Sequence, residues 1–451
     1  MKPRWVWFQV ALGLAAAAPS VAGAVLGSPL ALDDWGFAAA ARYATFVHGF
    51  GAQTRQRPLS GISDWALFRF FGTHPVPHLV VLAILNAAAA VLLWRLLDRW
   101  VPRRVAVLAA LVWVALPNRA STRLWVTTTP LVLSLVLLLA GLLVASREPL
   151  SSGRFGTALT LLALSVLAYE GGIGIGVAGL LAVVWTRADH ERRLRWAAVT
   201  VGVTGVVGGW VLVSSPKVGT SPPPLRNLSY LTSAHFGDAV LSSPLVALVV
   251  LVAVTWCVVT VVLPGFEAST DQKLVVVGLA VIFLGSAPFA VVGFPFSVSG
   301  FFDRGNLFAD LGTALVYGSL LGMLLQLPWR PLGLVVACVA IVALAVPNVT
   351  SVRNYVRAGR DGRRFLAAVD ALPVDMRTKG PVTFLPLPDH GGVAELLADY
   401  DISAALALRY HIARAFPRAL MAVRATGFRH SEGQVFELVD HELEPRPAIL
   451  G

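Results

Sequence analysis

The hexapeptide Leu-Asp-Asp-Trp-Gly-Phe, residues 32–37, follows directly after the first long apolar run of a strongly hydrophobic chain. Its two carboxylates, Asp33 and Asp34, are adjacent. If residues 5–26 span a bilayer, the pair lies just past the membrane, at the mouth of the helix bundle. Two carboxylates there can share a proton, accept one from an incoming hydroxyl, or hold a cation. The alternative is a solvated turn that ends the first helix with polar residues.

The composition places the chain among polytopic membrane proteins. Of its 451 residues, 56% are hydrophobic and 14% are charged, whereas soluble domains carry about 25% charged residues. The formal charge of +11 does not indicate nucleic-acid binding, because most arginines lie in short loops between apolar runs and in the C-terminal tail. The two cysteines lie inside apolar runs, so they predict neither a disulfide framework nor a cysteine metal site.

Apolar runs long enough to cross a bilayer predict an all-α membrane protein with about eleven transmembrane helices. The predicted spans are 5–26, 77–97, 105–116, 126–145, two short spans within 155–186, 196–213, 241–263, 274–292, 307–327 and 332–347. Together they form a predicted transmembrane domain, 1–347, whose first outer loop is 27–76. In that loop, Phe37, Tyr43, Val47 and Phe50 are spaced for one face of an interfacial helix.

The C-terminal segment, 348–451, reads as ordinary globular sequence. PVTFLPL and GQVFELVD predict two strands, and residues 394–416 between them predict a helix. We therefore expect a small α/β domain there, outside the cytoplasm.

Positive charge sets the expected orientation. The following basic residues all fall on one side of the predicted spans, which the positive-inside rule assigns to the cytoplasm: Lys2, Arg4, Arg99, Arg103, Arg104, Arg147, Arg154, Arg187, Arg192, Arg193, Arg195 and Arg330. In the plasma membrane this gives a cytoplasmic N-terminus and an extracytoplasmic C-terminus. Four polar elements then meet at the outer face, namely LDDWGF, NRASTR (118–123), YEGG (169–172) and the turn at Asp303-Arg304.

Several charged side chains of this outer face are candidates for chemistry. Glu170 sits where two short apolar runs meet, and a carboxylate at membrane depth needs a cavity or a partner; the alternative is an aqueous turn. Arg55 and Arg57 can pair with Asp33 and Asp34 or hold a phosphate, or be solvated loop residues. Arg119, Arg123 and Arg304 can contact a ligand or form local ion pairs.

Histidines supply a further candidate set. His48, His74 and His78, with the two aspartates, would compose a divalent-metal site, but no tight ligand spacing supports one. The sequence therefore identifies no certain cofactor, and a divalent metal stays the less favoured alternative. No P-loop, GxSxG, HExxH or CxxC motif occurs, which leaves no sequence case for an ATPase, a serine hydrolase or a zinc protease.

The order of four segments resembles a known family. LDDWGF is followed by RPLSGISDWALFRFFGTHPVPHLVVLAILNAAAAVLL (57–93), ALPNRASTRLWVTTTPLVLSLVLLLAGLL (115–143) and LALSVLAYEGGIGIGV (162–177). This series resembles the membrane-embedded C-type (GT-C) glycosyltransferases. It is most similar to the branch of the tetratricopeptide-bearing O-mannosyltransferases and their bacterial relatives, although the repeats are absent here.

The resemblance implies an inverting transfer of a sugar from a polyprenyl-phosphate donor to a glycan, lipid or protein acceptor at the outer face of the cell envelope. An acidic residue of the first outer loop would be the general base, so that role falls to Asp33 or Asp34. Arg57 falls in the family's Arg-Pro-Leu element, and Glu170 falls in a Lys-Glu pair whose lysine is replaced here by Tyr169. His78 and Asn86 match polar positions of the second span.

Two other classes fit the same residues. A flippase or secondary transporter for a lipid-linked or small polar substrate would also use an intramembrane Glu170 and short, glycine-interrupted spans. A non-catalytic scaffold would use the C-terminal tail for partners. Polar residues that gather at one face rather than at the midplane, without an inverted repeat, favour the enzyme.

Overall fold

The computed structural model describes residues 3–31, 33–214, 235, 244–263, 266–291, 301–371, 382–384, 405, 408, 409, 434–439 and 442–446. These residues are predominantly helical. The helices are α1 (Pro3–Leu26), α2 (Asp33–Tyr43), α3 (Phe46–Gln56), α4 (Pro58–Phe71), α5 (Pro75–Trp100), α6 (Arg103–Ala115), α7 (Ser121–Leu124), α8 (Thr129–Ala145), α9 (Ser152–Ala168), α10 (Ile173–Arg187), α11 (His190–Ser214), α12 (Pro244–Val262), α13 (Thr270–Val291), α14 (Ala309–Leu324) and α15 (Arg330–Ala371).

Long apolar helices make this a multi-pass membrane protein. Within the described residues, six stretches are long and apolar enough to cross a membrane: Arg4–Leu26, Pro75–Trp100, Val126–Ala145, His190–Val211, Thr270–Ala290 and Arg330–Ala371. Each predicted span coincides with a helix. Several helices are shorter than a bilayer requires, since α6 has 13 residues at about 1.5 Å per residue. The count of eleven spans therefore stays a prediction.

The core lies where α5, α6, α8, α9 and α14 pack together. Trp113 and Leu135 are fully buried there, whereas Trp7, Val213 and Val335 are exposed on other helices. Exposed large apolar side chains are costly in water, but they match acyl chains. The bundle therefore has a closely packed apolar interior and an outer surface that is also apolar, as a lipid environment requires.

The predicted first outer loop folds into the three helices α2, α3 and α4. Pro58 begins α4, where its missing N–H costs no hydrogen bond. Phe37 and Phe50 stack with ring centroids 5.6 Å apart, but they belong to two different helices. The single interfacial helix predicted through Val47 is wrong, because the chain leaves the helical conformation after Tyr43 and leaves Val47 72% exposed.

A short 3-10 turn, Glu170–Gly172, separates α9 from α10 as the sequence predicts. The two glycines are required by packing. A Cβ on Gly171 would lie 2.7 Å from the Phe308 ring, and one on Gly172 would lie 2.6 Å from it. The interruption thus lets the start of α14 approach the backbone and holds Glu170 at the end of the bundle.

The domain boundary predicted at residue 347 falls inside α15, which runs continuously from Arg330 to Ala371. Beyond that point its Val352, Tyr355 and Val356 pack against Ala31 and Trp125. Residues 348–369 therefore belong to the helical body, because their apolar face is buried against it.

Three short strands follow α15: β1 (Val382–Phe384), β2 (Gln434–Val439) and β3 (Glu442–Arg446). β1 pairs with β2 in parallel and β2 pairs with β3 in antiparallel fashion, and the first two coincide with the predicted strands. Most of the predicted helix at 394–416 lies outside the described residues. The small C-terminal domain stays a prediction.

Candidate functional site

Asp34 is buried at the start of α2 and has three hydrogen-bond donors. One oxygen accepts from the Ala31 amide at 2.8 Å; the other accepts from the Thr127 amide at 2.9 Å and from the Thr127 hydroxyl. Burial raises the pKa of this carboxyl to about 7, although the hydrogen bonds oppose that rise. The solvated-turn alternative is therefore wrong for Asp34, which joins α2 to the turn before α8.

Asp33 occupies a different environment. It begins α2, where a carboxylate is favoured by the helix dipole, and it is only partly buried. The two adjacent carboxylates are thus separated by burial, with Asp34 inside the fold and Asp33 nearer solvent.

A third carboxylate, Asp64 on α4, was not singled out by sequence reasoning. It is 1% exposed and accepts a hydrogen bond of 2.6 Å from the Gln53 amide and one of 3.4 Å from the Ser60 hydroxyl. Its other oxygen, Oδ1, has no hydrogen-bond partner among the described residues. Burial, helped by the charges of Asp34 and Asp33, raises the pKa of Asp64 to about 8. The SDW tripeptide, which repeats the Asp-Trp pair of LDDWGF, is the signal that marks it.

Glu170 pairs with Arg57. The Arg57 Nε donates to Glu170 Oε2 at 2.7 Å and its Nη2 donates to Oε1 at 2.5 Å, and the guanidinium lies 4.1 Å from the centroid of the Tyr169 ring. Of the alternatives that the sequence leaves open for Arg57, the pairing with Asp33 and Asp34 is not the one in the structure, because its guanidinium pairs with Glu170. Arg57 precedes α4, two turns before Asp64, so roughly 10 Å of helix connects this ion pair to the carboxylates.

The Asp303-Arg304 turn and the NRASTR turn meet the LDDWGF segment at Trp125. The Trp125 indole donates to the Ala31 carbonyl at 2.9 Å, and the Arg304 guanidinium lies 4.6 Å from the Trp125 ring centroid. Asp303 accepts from the amides of Ala120 and Ser121 at 2.7 and 3.1 Å, and burial raises its pKa to about 7. Three of the four polar elements that the predicted topology places at one face therefore meet near the Trp125 side chain.

Arg119 and Arg123 are structural rather than ligand-facing. Arg119 is 1% exposed, lies over the Trp113 ring at 3.6 Å and pairs with Asp310 at 3.7 Å. Arg123 is equally buried; it donates to the Val114 carbonyl at 2.7 Å and to the Asn348 side chain. The structure therefore favours the local ion-pair alternative for Arg119 and removes Arg123 from the binding set.

The remaining sequence candidates are dispersed. Arg55 is exposed and its Nε donates to the Gly51 carbonyl of its own helix at 3.3 Å, so it does not reach the aspartates. His48 is exposed beside the Thr45 hydroxyl at 2.8 Å, whereas His78 is buried against the Phe68 ring and contacts the Gly72 carbonyl at 3.1 Å. In the part of the chain that the structure describes, no three His, Cys, Asp or Glu side chains are grouped to hold a metal ion.

A cavity of about 340 Å³ opens between α2, the end of α4 and the end of α15. Its lining includes Trp35, Arg42, Arg69, Leu366 and Arg409. Arg69 donates to the Ala41 carbonyl at 3.3 Å, and Arg409 pairs with Asp370 at 3.0 Å. Two of these guanidinium groups, those of Arg42 and Arg69, and the Trp35 indole therefore lie on α2 and α4, the helices that carry the carboxylates. Sequence reasoning did not select Arg42 or Arg69, since nothing local distinguishes them from solvated arginines.

Comparison with known proteins adds no assignment to this geometry. No protein-family model matches the chain, and no curated protein matches it.

Proposed function

We propose that the protein is a membrane glycosyltransferase that moves a sugar from a polyprenyl-phosphate donor to an acceptor at the outer face of the cell membrane. The observation that carries the proposal is that α2 and α4, the helices that carry Asp33, Asp34 and Asp64, also line the cavity through Trp35, Arg42 and Arg69. An aromatic face stacks on a sugar ring, and guanidinium groups match phosphate oxygens. A lipid-linked donor needs such a wet, basic and aromatic space beside apolar helices.

Asp33 is the general base in this proposal, and Asp34 positions the start of α2. The acceptor hydroxyl oxygen attacks the anomeric carbon from the side opposite the phosphate. Its proton passes to the Asp33 carboxylate while the bond from the anomeric carbon to the phosphate oxygen breaks. The phosphate leaves with that electron pair, so configuration inverts. Positive charge stabilises the leaving group, and Arg42 and Arg69, which line the cavity, have that role in this proposal.

The test is transfer in membranes with a panel of polyprenyl-phosphate sugars. Asp33→Asn retains shape and hydrogen bonding but accepts no proton, so turnover should fall about 10²–10⁴-fold while donor binding persists. Asp189→Asn is the matched control, because Asp189 is exposed at the opposite end of the bundle. Near-normal turnover of Asp33→Asn with a donor that the wild type uses would refute the mechanism.

A carrier is the second candidate, and the interruption between α9 and α10 beside the Arg57–Glu170 ion pair favours it. Broken helices with a charged pair are typical of transporter sites. A carrier would move the lipid-linked sugar across vesicle membranes without consuming it. The same donor panel therefore separates the two, because only the enzyme converts donor to free polyprenyl phosphate.

A further inference from the structure

A second basic site lies at the helix ends opposite the carboxylates. A cavity of about 410 Å³, called here the arginine pocket, is lined by Arg99, Ser146, Arg147, Glu148, Arg154 and Arg187. The first turn of α9 and the last turns of α5, α8 and α10 supply or flank these residues. The other ends of α9 and α10 meet at Glu170, so the pocket is separated from the candidate site by the length of those helices.

Hydrogen bonds to backbone and hydroxyl groups hold two of the pocket's guanidinium groups, those of Arg99 and Arg154. Arg99 donates to the Leu143 carbonyl at 2.6 Å and to the Ser146 hydroxyl at 2.7 Å. Arg154 donates to the Pro149 carbonyl at 2.8 Å. Carbonyls at a helix C-terminus attract such cations, but they do not neutralise them.

The pocket carries four arginines and a single carboxylate. Glu148 is paired with Arg187, which leaves Arg99, Arg147 and Arg154 without a carboxylate partner among the described residues. Like charges held together repel one another, and a bound anion would relieve that repulsion. Planar guanidinium groups match the oxygens of a phosphate in particular.

We propose that the arginine pocket binds a phosphate group, supplied by an anionic lipid headgroup or by a free phosphate. The pocket lies at the ends of α5 and α8, which are long and apolar enough to cross a membrane, and headgroup phosphates lie beyond the apolar part of such spans. Its volume accommodates a phosphate with a small substituent. The proposal is independent of the glycosyltransferase assignment, since none of its residues belongs to the candidate site.

The experiment measures ligand binding to the purified full-length protein in detergent. Phosphatidylglycerol, phosphatidylcholine and inorganic phosphate are titrated separately, with bound lipid counted by native mass spectrometry and thermal stabilisation recorded for all three. The test variant is Arg147→Gln with Arg154→Gln. The control is Arg192→Gln with Arg195→Gln, which removes the same charge at the same end of the bundle but outside the pocket.

We expect the wild type to bind phosphatidylglycerol more tightly than phosphatidylcholine, and the test variant to weaken that binding by at least about tenfold. Binding of phosphatidylglycerol alone identifies the headgroup as the source, whereas saturable binding of inorganic phosphate identifies a free-phosphate site. Equal binding of both lipids without phosphate binding, or equal weakening in the control, overturns the proposal. If the double variant does not fold, Arg147→Gln alone decides, because that exposed guanidinium makes no hydrogen bond to described residues.

Discussion

The unequal burial of Asp33 and Asp34 predicts that two identical substitutions at adjacent residues have different effects. In Asp34→Asn, the remaining amide oxygen still accepts from Thr127, but the new NH₂ group faces the Ala31 N–H. A buried donor then loses its acceptor, which costs about 1–3 kcal/mol. In Asp33→Asn, the main loss is a favourable contact with the helix dipole, about 0.3–1 kcal/mol.

The assay is thermal unfolding of the purified protein, followed by tryptophan fluorescence. At about 2 °C per kcal/mol for a large chain, Asp34→Asn should lower the melting temperature by roughly 2–6 °C. Asp33→Asn should lower it by at most about 2 °C on the same scale. Asp34→Ala, which leaves all three donors without an acceptor, should lower it further.

Thr127→Val provides the control for the assigned partner. It removes the hydroxyl donor to Asp34, so its destabilisation should be less than additive when combined with Asp34→Ala, which has already removed the acceptor. The reasoning is refuted if Asp33→Asn destabilises the protein as much as Asp34→Asn does, or if the effects of Thr127→Val and Asp34→Ala simply add.

Three further predictions concern other parts of the molecule. Glu170→Gln leaves Arg57 without its carboxylate, so we expect a loss of about 1–3 kcal/mol for this partly buried pair, measured by thermal unfolding. Folding raises the pKa of Asp64 from 3.8 to about 8. The stability that Asp64 contributes is therefore greatest below pH 3.8, its pKa in the unfolded chain, and is lost as the pH rises to about 8. Between pH 7 and 8, Asp64→Asn should therefore make the free energy of unfolding less dependent on pH, by up to about 1.4 kcal/mol per pH unit. Thr73 and Ser152 are both exposed. In intact cells, an impermeant thiol reagent should label a single cysteine placed at Thr73 but not one placed at Ser152.

Each of these predictions has a contradicting outcome. Unchanged stability of Glu170→Gln would mean that the ion pair contributes nothing. A pH profile of Asp64→Asn that parallels the wild type between pH 7 and 8 would assign the titration to another group; Asp34→Asn is the control, since its carboxyl titrates near 7. Labelling at Ser152 but not at Thr73 would invert the topology and place the carboxylates on the cytoplasmic side.

The helices were largely predictable because their signal is local. Apolar runs, with prolines and charges at their ends, mark where a membrane helix begins and ends. Glu170 with two glycines marked the interruption between α9 and α10. The exception is α15, where Pro347 predicted an end but the helix continues. Its later turns bury Tyr355 and Val356 against Ala31 and Trp125, and that packing outweighs the local signal.

The partners within the site were not predictable, since they are separated by long stretches of chain. Arg57 and Glu170 are 113 residues apart, and either aspartate was an equally reasonable partner for Arg57. From the sequence, Arg123 could contact a ligand or form a local ion pair, but in the structure its side chain is fully buried. Burial of an arginine depends on the carbonyls and amides that surround it, and those come from α6 and α15 rather than from its neighbours.

The difference between the two aspartates shows how a distant residue gives adjacent side chains different roles. Helix α2 begins at Asp33, and successive residues on a helix point in directions about 100° apart. Thr127, 93 residues later in the chain, donates hydrogen bonds to Asp34, which points toward it. The carboxylate that meets it is withdrawn from solvent and holds two segments together, while its neighbour remains accessible. A paired acidic motif in this position therefore supplies one buried group and one accessible group.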